Sequence, residues 1–261
     1  MPRTTVNGAE IYYEVHGSGP LFAFVHGLTG NHLSWLHQVP EFSKKYKCLI
    51  YDQRCFGISQ FALPDNGDVF AADLYELIQQ LGEKDVRLMG QSWGGNVALR
   101  FALKHSDMVK SLVIGGSDAG LVDRETALKI NGPRLPADPK EPLAINYAPD
   151  FSERNPIGFY LFGSIYNTNP QRPQDFMARG RMETITPDAL ARVTFPTLFI
   201  VGDEDRSSKP ALVEAAKAIM PNSALEKVAH AGHSHFLEQP QAFNREVLAF
   251  LQKAEPVHTA R

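Results

Sequence analysis

Gly90-Gln91-Ser92-Trp93-Gly94 holds one hydroxyl between two glycines, with a third at Gly95, where an apolar run ends and a helix-like run begins. Glycines gather where side chains would obstruct a tight turn. The G-x-S-x-G spacing suits a strand-to-helix turn that lifts a serine Oγ above the carboxyl edge of a sheet as a nucleophile. At ordinary glycine frequency a chain of this length meets the pattern by chance roughly one time in ten, so the surroundings decide its meaning. The plain alternative for Ser92 is a helix N-cap.

A serine hydroxyl becomes a nucleophile only when a base within hydrogen-bonding reach takes its proton. Nine histidines compete for that role. In folds with this turn the base follows the last strand, and "SALEKVAHAGHSHFLEQP" supplies a strand, a Gly-His turn and a helix. His233 is expected to be the base, ahead of His230 and His235, because Gly232 gives the loop freedom to bring the imidazole inward. His16, His32, His37, His105 and His258 read as structural or solvent-exposed. The acid that orients the imidazole should lie between serine and histidine. "VGDEDRSSKP" offers Asp203, Glu204 and Asp205, and Asp118 in "GGSDAG" is a rival at the same sheet edge; loop position does not separate them. Donors for a developing oxyanion are expected from the backbone amides of Leu28, in the His26-Gly27-Leu28 turn, and of Trp93. Both side chains are expected to line the pocket.

These residues need a frame. Apolar runs without polar alternation recur at 21–25, 48–51, 86–89, 111–114 and 197–201, as suits strands covered on both faces of a parallel sheet. Helical patterns lie between them. One stripe joins Val69, Leu74, Leu77, Ile78 and Leu81, another Val97, Phe101 and Ala102, and Pro210 opens a third helix at a favoured first position. The alternation predicts an α/β fold with a doubly wound, mostly parallel sheet. "EIYYEV" reads as an antiparallel edge strand or hairpin partner. The rhythm breaks between about Asp118 and Asp188, where prolines at 133, 136, 139, 142, 149, 156, 170 and 173 interrupt any long element. The division expected is a core of 1–117 and 191–261 and a cap inserted at 118–190, its aromatic residues mostly packing a small core of the cap's own. The terminal "EPVHTAR" reads as a frayed tail.

The 261 residues carry a formal charge of −3 with Lys and Arg scattered, which gives no basic field for nucleic acid or an acidic membrane. Cys48 and Cys55 are too few for a disulfide framework or a cysteine metal site. The first residues lack the apolar stretch of a signal peptide, and no run approaches membrane-spanning length. A cytoplasmic protein is expected, and the oligomeric state is not legible.

"VHGLTGNHLSW", "YDQRCFGIS", "GQSWGGNVAL", "VGDED" and "AGHSHFLEQP", in that order, resemble the α/β-hydrolase superfamily over nearly the whole chain. The resemblance implies a short helical cap after the sixth strand, and its Gly-x-x-Asp pattern after the seventh falls on Gly202 and Asp205, tipping the acid to Asp205. It implies a Ser92-His233-Asp205 triad, no metal and no organic cofactor, and a small-molecule ester or lactone as substrate. Serine rather than aspartate at the elbow argues against the haloalkane dehalogenase and epoxide hydrolase branches. Cys55 stands where the Asp-x-Arg-Gly-x-Gly-x-Ser pattern has glycine, which predicts a different path for that loop. "YDQR" and "QSWGG" also echo proline iminopeptidases, for which Glu141, Asp150, Glu153 and Asp175 are candidate ligands of a substrate amine. A carbon-carbon bond hydrolase would use the same triad, and a ligand receptor on this scaffold is the alternative from another class.

Overall fold

The structure, a computed structural model, describes residues 2–132 and 143–254. The prolines at 133, 136, 139 and 142, Glu141, and the tail from 255 with His258 lie outside the described residues.

Eight strands form one sheet: β1 (Arg3–Val6), β2 (Ala9–His16), β3 (Leu21–Val25), β4 (Lys47–Tyr51), β5 (Val86–Gln91), β6 (Val109–Gly115), β7 (Thr197–Gly202) and β8 (Ser223–Val228). Their order is β1-β2-β4-β3-β5-β6-β7-β8. β1 pairs antiparallel with β2 and β2 with β4, and every other pairing is parallel. The continuous apolar runs mark the parallel strands because both faces are covered. In β3, Leu21, Ala23 and Val25 face the layer that holds helices Val69–Gln80, Trp93–Lys104 and Pro210–Ile219, while Phe22 and Phe24 face the layer with helix Pro240–Ala254. β6 and β7 alternate the same way: Ile114 and Phe199 face the first layer, Val113 and Ile200 the second.

"EIYYEV" lies in β2, a hairpin partner of β1 and not the edge. The edge on that side is β1, whose four residues RTTV bury only Val6 and carry no apolar run. Its turn is the readable part: Asn7 and Gly8 have φ of 43° and 75°, the conformation that an Asn-Gly hairpin turn favours.

Between β6 and β7 lie short helices at Arg124–Asn131, Phe151–Arg154, Pro156–Asn167, Phe176–Arg179 and Pro187–Leu190. Tyr147 gathers the rings of Phe151, Phe159 and Phe162, but this cluster is continuous with a core of the sheet and not separate from it. Phe151 and Phe162 join one of the two layers flanking the sheet, and Phe176 joins the other through Phe56 and Phe70. Such short helices bury too little surface against one another, so their large side chains use the main cores. Among the described residues no helix is long and apolar enough to cross a membrane.

The loop after β4 turns at Cys55, which itself adopts the left-handed region with φ 67°. The missing glycine therefore appears as backbone strain, about 1–2 kcal/mol, carried by the cysteine. Two buried carboxylates hold this loop. Asp52 accepts from the backbone N–H of His32 at 2.7 Å and of Ile58 at 2.8 Å. Asp73 takes the Arg54 guanidinium side-on, Nε to Oδ2 at 2.6 Å and Nη2 to Oδ1 at 2.7 Å. Removing one partner of such a pair strands the other charge in the core. Asp73→Ala should cost about 3–5 kcal/mol of unfolding free energy in urea titrations, and adding Arg54→Met should restore part of the loss.

Candidate active site

β5 ends at Gln91 and the next helix begins at Trp93, leaving Ser92 alone at the corner with φ 53° and ψ −115°. That backbone is unfavourable for any residue with a side chain, on the order of 1–3 kcal/mol. The flanking glycines are needed because the corner is pressed against β3. A Cβ on Gly94 would run into the carbonyl oxygens of Val25 and His26, and one on Gly90 into the backbone of Gly94. The Ser92 N–H is anchored on the carbonyl of Gly115 at 2.7 Å, across from β6. Ser92 occupies an N-cap position, yet its side chain makes no capping bond. Its Oγ lies 2.9 Å from His233 Nε2.

His233 Nδ1 lies 2.8 Å from Asp205 Oδ2. The other oxygen of Asp205 accepts the backbone N–H groups of Ser207 and Ser208, each at 2.8 Å. The loop thus saturates Oδ1 and presents Oδ2 to the imidazole. Asp205 is 3% exposed and His233 4%, so water does not compete for this bond. The rivals lie elsewhere. Asp203 is exposed and, among the described residues, its side chain accepts only from Ala231 N–H, and Glu204 faces exposed His230 at 3.9 Å. The Asp118 carboxyl, pushed up by burial, faces the backbone of Gly120 and Val122. His235 lies beneath the site, its Nδ1–H donating to the carbonyl of His233 at 3.2 Å.

Gly232 works differently from the expectation. Its φ is not left-handed. What it provides is space, because a Cβ there would collide with the backbone of Tyr147 and Ala148. Gly202 does the same beneath Ala231 and Gly232. Gly116, at φ 53°, presents a bare face to the pair: a Cβ would stand 3.2 Å from His233 Nδ1 and 3.3 Å from Asp205 Oδ2.

The turn after β3 is set by a buried histidine. His26 Nε2 accepts from Gln53 N–H at 3.1 Å, so Nδ1 carries the proton and donates to Gly27 O at 2.9 Å. In a trans peptide the carbonyl of Gly27 and the N–H of Leu28 point oppositely, so fixing one aims the other. Among the described residues no acceptor meets Leu28 N–H, and Trp93 N–H opens a helix, where no intrahelical acceptor exists. The Trp93 ring is buried and packs edge-on against Phe70 at 5.5 Å; Leu28 is half-buried against the same core.

Three residues of the site were missed by sequence reasoning. His26 read only as part of a turn. Gln91, next to the nucleophile candidate, donates from Nε2 to His233 O at 3.2 Å and packs against Gly27. Glu238 is buried and accepts from Gly232 N–H at 3.0 Å and Ala148 N–H at 2.9 Å. A signal for the last existed: an acid five residues after His233, next to the apolar "FL".

A family model described as "Alpha/beta hydrolase family" matches residues 22–246. The chain belongs to the alpha/beta hydrolase family. It is 28% identical over 274 residues to the putative carbamate hydrolase RutD of Caulobacter sp. (strain K31), covering 96% of this chain and 98% of that protein. An alignment at 36% identity with Epoxide hydrolase 3 of Xenopus tropicalis takes in 113 residues, 41% of this chain and only 31% of that protein. A thermophilic esterase from Thermogutta terrifontis, solved with malate bound, superposes with a TM-score of 0.82 at 25% identity, covering 97% of this chain and 99% of the other.

In this hydrolase two imidazoles lie fully enclosed beside the site. Burial pushes His26 and His235 down to about 4 from 6.5. A histidine depressed in the folded state contributes stability that is complete above its unfolded value and is lost as pH falls through the folded one. Glu238, pushed up by burial from 4.5 to about 7, acts in the opposite sense, losing its contribution as pH rises through 7. Asp73 and Asp118, likewise pushed up by burial, act in the same sense as Glu238. Substitution isolates the imidazole part: the fall in unfolding free energy between pH 7 and pH 4.5, measured in urea, should be smaller by about 2 kcal/mol in His235→Gln than in the native protein. Two histidine ring signals in NMR titrations should stay unmoved down to about pH 5.

Proposed function

We propose that this hydrolase cleaves carboxylic esters or lactones through an acyl-enzyme on Ser92. The observation that carries the reading is the unbroken pair of hydrogen bonds from Ser92 Oγ to His233 Nε2 at 2.9 Å and from His233 Nδ1 to Asp205 Oδ2 at 2.8 Å. Ser92 Oγ attacks the carbonyl carbon while His233 Nε2 takes its proton. The carbonyl oxygen becomes an oxyanion and takes the N–H groups of Leu28 and Trp93. His233 then protonates the leaving alcohol oxygen, the C–O bond breaks, and the acyl group remains on Ser92. Water repeats the sequence from the other side: His233 removes its proton, the second oxyanion collapses, and Ser92 regains its hydrogen as the acid leaves. Asp205 holds the tautomer and stabilises the imidazolium throughout. The helices between β6 and β7 serve as a cap over the carboxyl edge.

The iminopeptidase reading requires a carboxylate aimed inward to bind a free amine. Asp150, Glu153 and Asp175 are exposed, and Asp150 and Asp175 lie against Arg154 and Arg179 on the surface. A solvated carboxylate on the outer face supports the ester reading over the amine-binding one. Serine at position 92 likewise supports acyl transfer over the epoxide opening named in one relative.

Ser92→Ala should lower kcat/KM for an ester by about 10⁴-fold or more without changing the far-UV spectrum. Asp205→Asn should cost around 10⁴-fold, Asp118→Asn and Asp203→Asn far less. Folded Ser92→Ala protein with near-normal turnover would end the nucleophile assignment. Short acyl aryl esters should be hydrolysed at least about 100-fold better than prolyl arylamide; the reverse preference would point to the aminopeptidase.

A further inference from the structure

The segment after helix Pro156–Asn167 is fastened to the two loops that border the site. Asn31 Nδ2 donates to Ile165 O at 3.0 Å and to Thr168 Oγ1 at 2.7 Å. Gly57 N–H donates to Asn169 Oδ1 at 2.9 Å. Arg172, next along, donates from Nη2 to the carbonyl of Leu28 at 2.8 Å. Its guanidinium lies 4.2 Å from the centre of the Phe56 ring and 5.3 Å from that of Phe176. Phe176 continues through Phe70 to Trp93, the residue after Ser92. Arg172 therefore stands on the aromatic wall that joins Leu28 to Trp93.

Among the described residues no carboxylate pairs with this cation. Arg172 Nη1 is buried with no hydrogen-bond partner among the described residues. The titratable groups that act on it favourably are Tyr166 and Cys55, a phenol and a thiol, and burial pushes its pKa down. Two buried arginines are closer to carboxylates: Arg54 has the Asp73 carboxylate on two atoms, and Arg100, whose bonds go to carbonyl oxygens, feels the charges of Asp68, Asp118 and Glu183. Arg172 as a whole is half-buried, and a guanidinium withdrawn from water without a counter-charge is costly, while its planar fork matches a carboxylate better than any neutral acceptor does.

We propose that Arg172 binds a carboxylate carried by the substrate, making the preferred substrate an ester or lactone whose acyl part ends in a second, free carboxylate. This rests on the acyl-transfer reading of Ser92. Covalent geometry gives the length. Leu28 N–H, the oxyanion donor, is at most one residue's span from the carbonyl that Arg172 holds at 2.8 Å, which keeps the guanidinium nitrogen within roughly 6 Å of it. Two to four methylenes between the scissile carbonyl and the free carboxylate fit that separation. Stacking on Phe56 and Phe176 and the bond to Leu28 O keep the guanidinium in place before substrate arrives, so little side-chain freedom is lost on binding.

The test compares monoethyl glutarate with ethyl pentanoate, esters of similar length with and without the carboxylate. For the native protein kcat/KM should favour the half-ester by at least about 10-fold. Arg172→Met should lower that ratio by about 10-fold or more, whatever it does to each rate through the lost Leu28 bond, and Arg172→Lys, which keeps the charge without the fork, should lower it by less. Glutarate binding to the Ser92→Ala protein, measured by calorimetry, needs no turnover and should vanish in the Ser92→Ala/Arg172→Met protein. If neither ester is cleaved while that binding pattern holds, the acyl-transfer reading fails and the carboxylate site stands. A native ratio near one, absent glutarate binding, or an Arg172→Met change that lowers both esters equally would overturn the site and leave Arg172 a strut for the Leu28 turn.

Discussion

The fold turns on one strained residue. Ser92 holds a backbone conformation that side-chain-bearing residues avoid, and it can do so only because the structure around it leaves no other. Gly90 and Gly94 allow β5 and the following helix to close against the end of β3, and the carbonyl of Gly115 on β6 takes the Ser92 N–H. β5 lies between β3 and β6 in the middle of the sheet, where the surrounding pairings are hardest to shift. Strain of this kind persists when its neighbours over-determine it. The result is a hydroxyl fixed in space before any partner reaches it.

Every other part of the site is held to that point by single buried polar side chains, each satisfying a loop. Gln91 reaches from the elbow to the carbonyl of His233, Glu238 ties the N–H just before His233 to the N–H of Ala148, and His26 pins the carbonyl of Gly27. A buried polar group without its partner costs more than the bond itself is worth, so each of these contacts allows one arrangement of two loops and penalises the rest. Glu238 has a second consequence. By holding Ala148 and Gly232 with the two oxygens of one carboxylate, it sets the segment between β6 and β7 in register with the imidazole.

The treatment of charge divides the molecule into scaffold and pocket. In the scaffold, cations meet carboxylates: Arg54 is neutralised by Asp73 behind the loop after β4. At the turn after β3, Arg172 donates to the carbonyl of Leu28 and lies over Phe56 and Phe176, while buried Asp52 acts on His26 from the other side.

Much of this was legible from residue order. β3 to β7 are readable because strands covered on both faces have no polar alternation, and the helices between them because one stripe meets the sheet. Ser92 and His233 are readable because a strand-to-helix corner needs its glycines and the base must follow the last strand. β1 was not, since an edge strand that buries almost nothing has no apolar pattern to show. Asp205 and Asp118 both follow strands at the same edge, and position cannot rank them; the Gly202-x-x-Asp205 pattern favoured Asp205 by resemblance, and the hydrogen bonds give the physical reason, with Asp205 turned to the imidazole by the amides of Ser207 and Ser208 and Asp118 turned to the backbone of Gly120 and Val122. Gly232 was readable as a necessary glycine but not for its reason, because the backbone it makes room for is some 85 residues distant in the chain. The cap aromatics and Arg172 lay wholly beyond the sequence. Burial and periodicity are local properties that composition records, whereas which loop touches which, and whether a cation finds an anion, is settled only when distant segments are brought together.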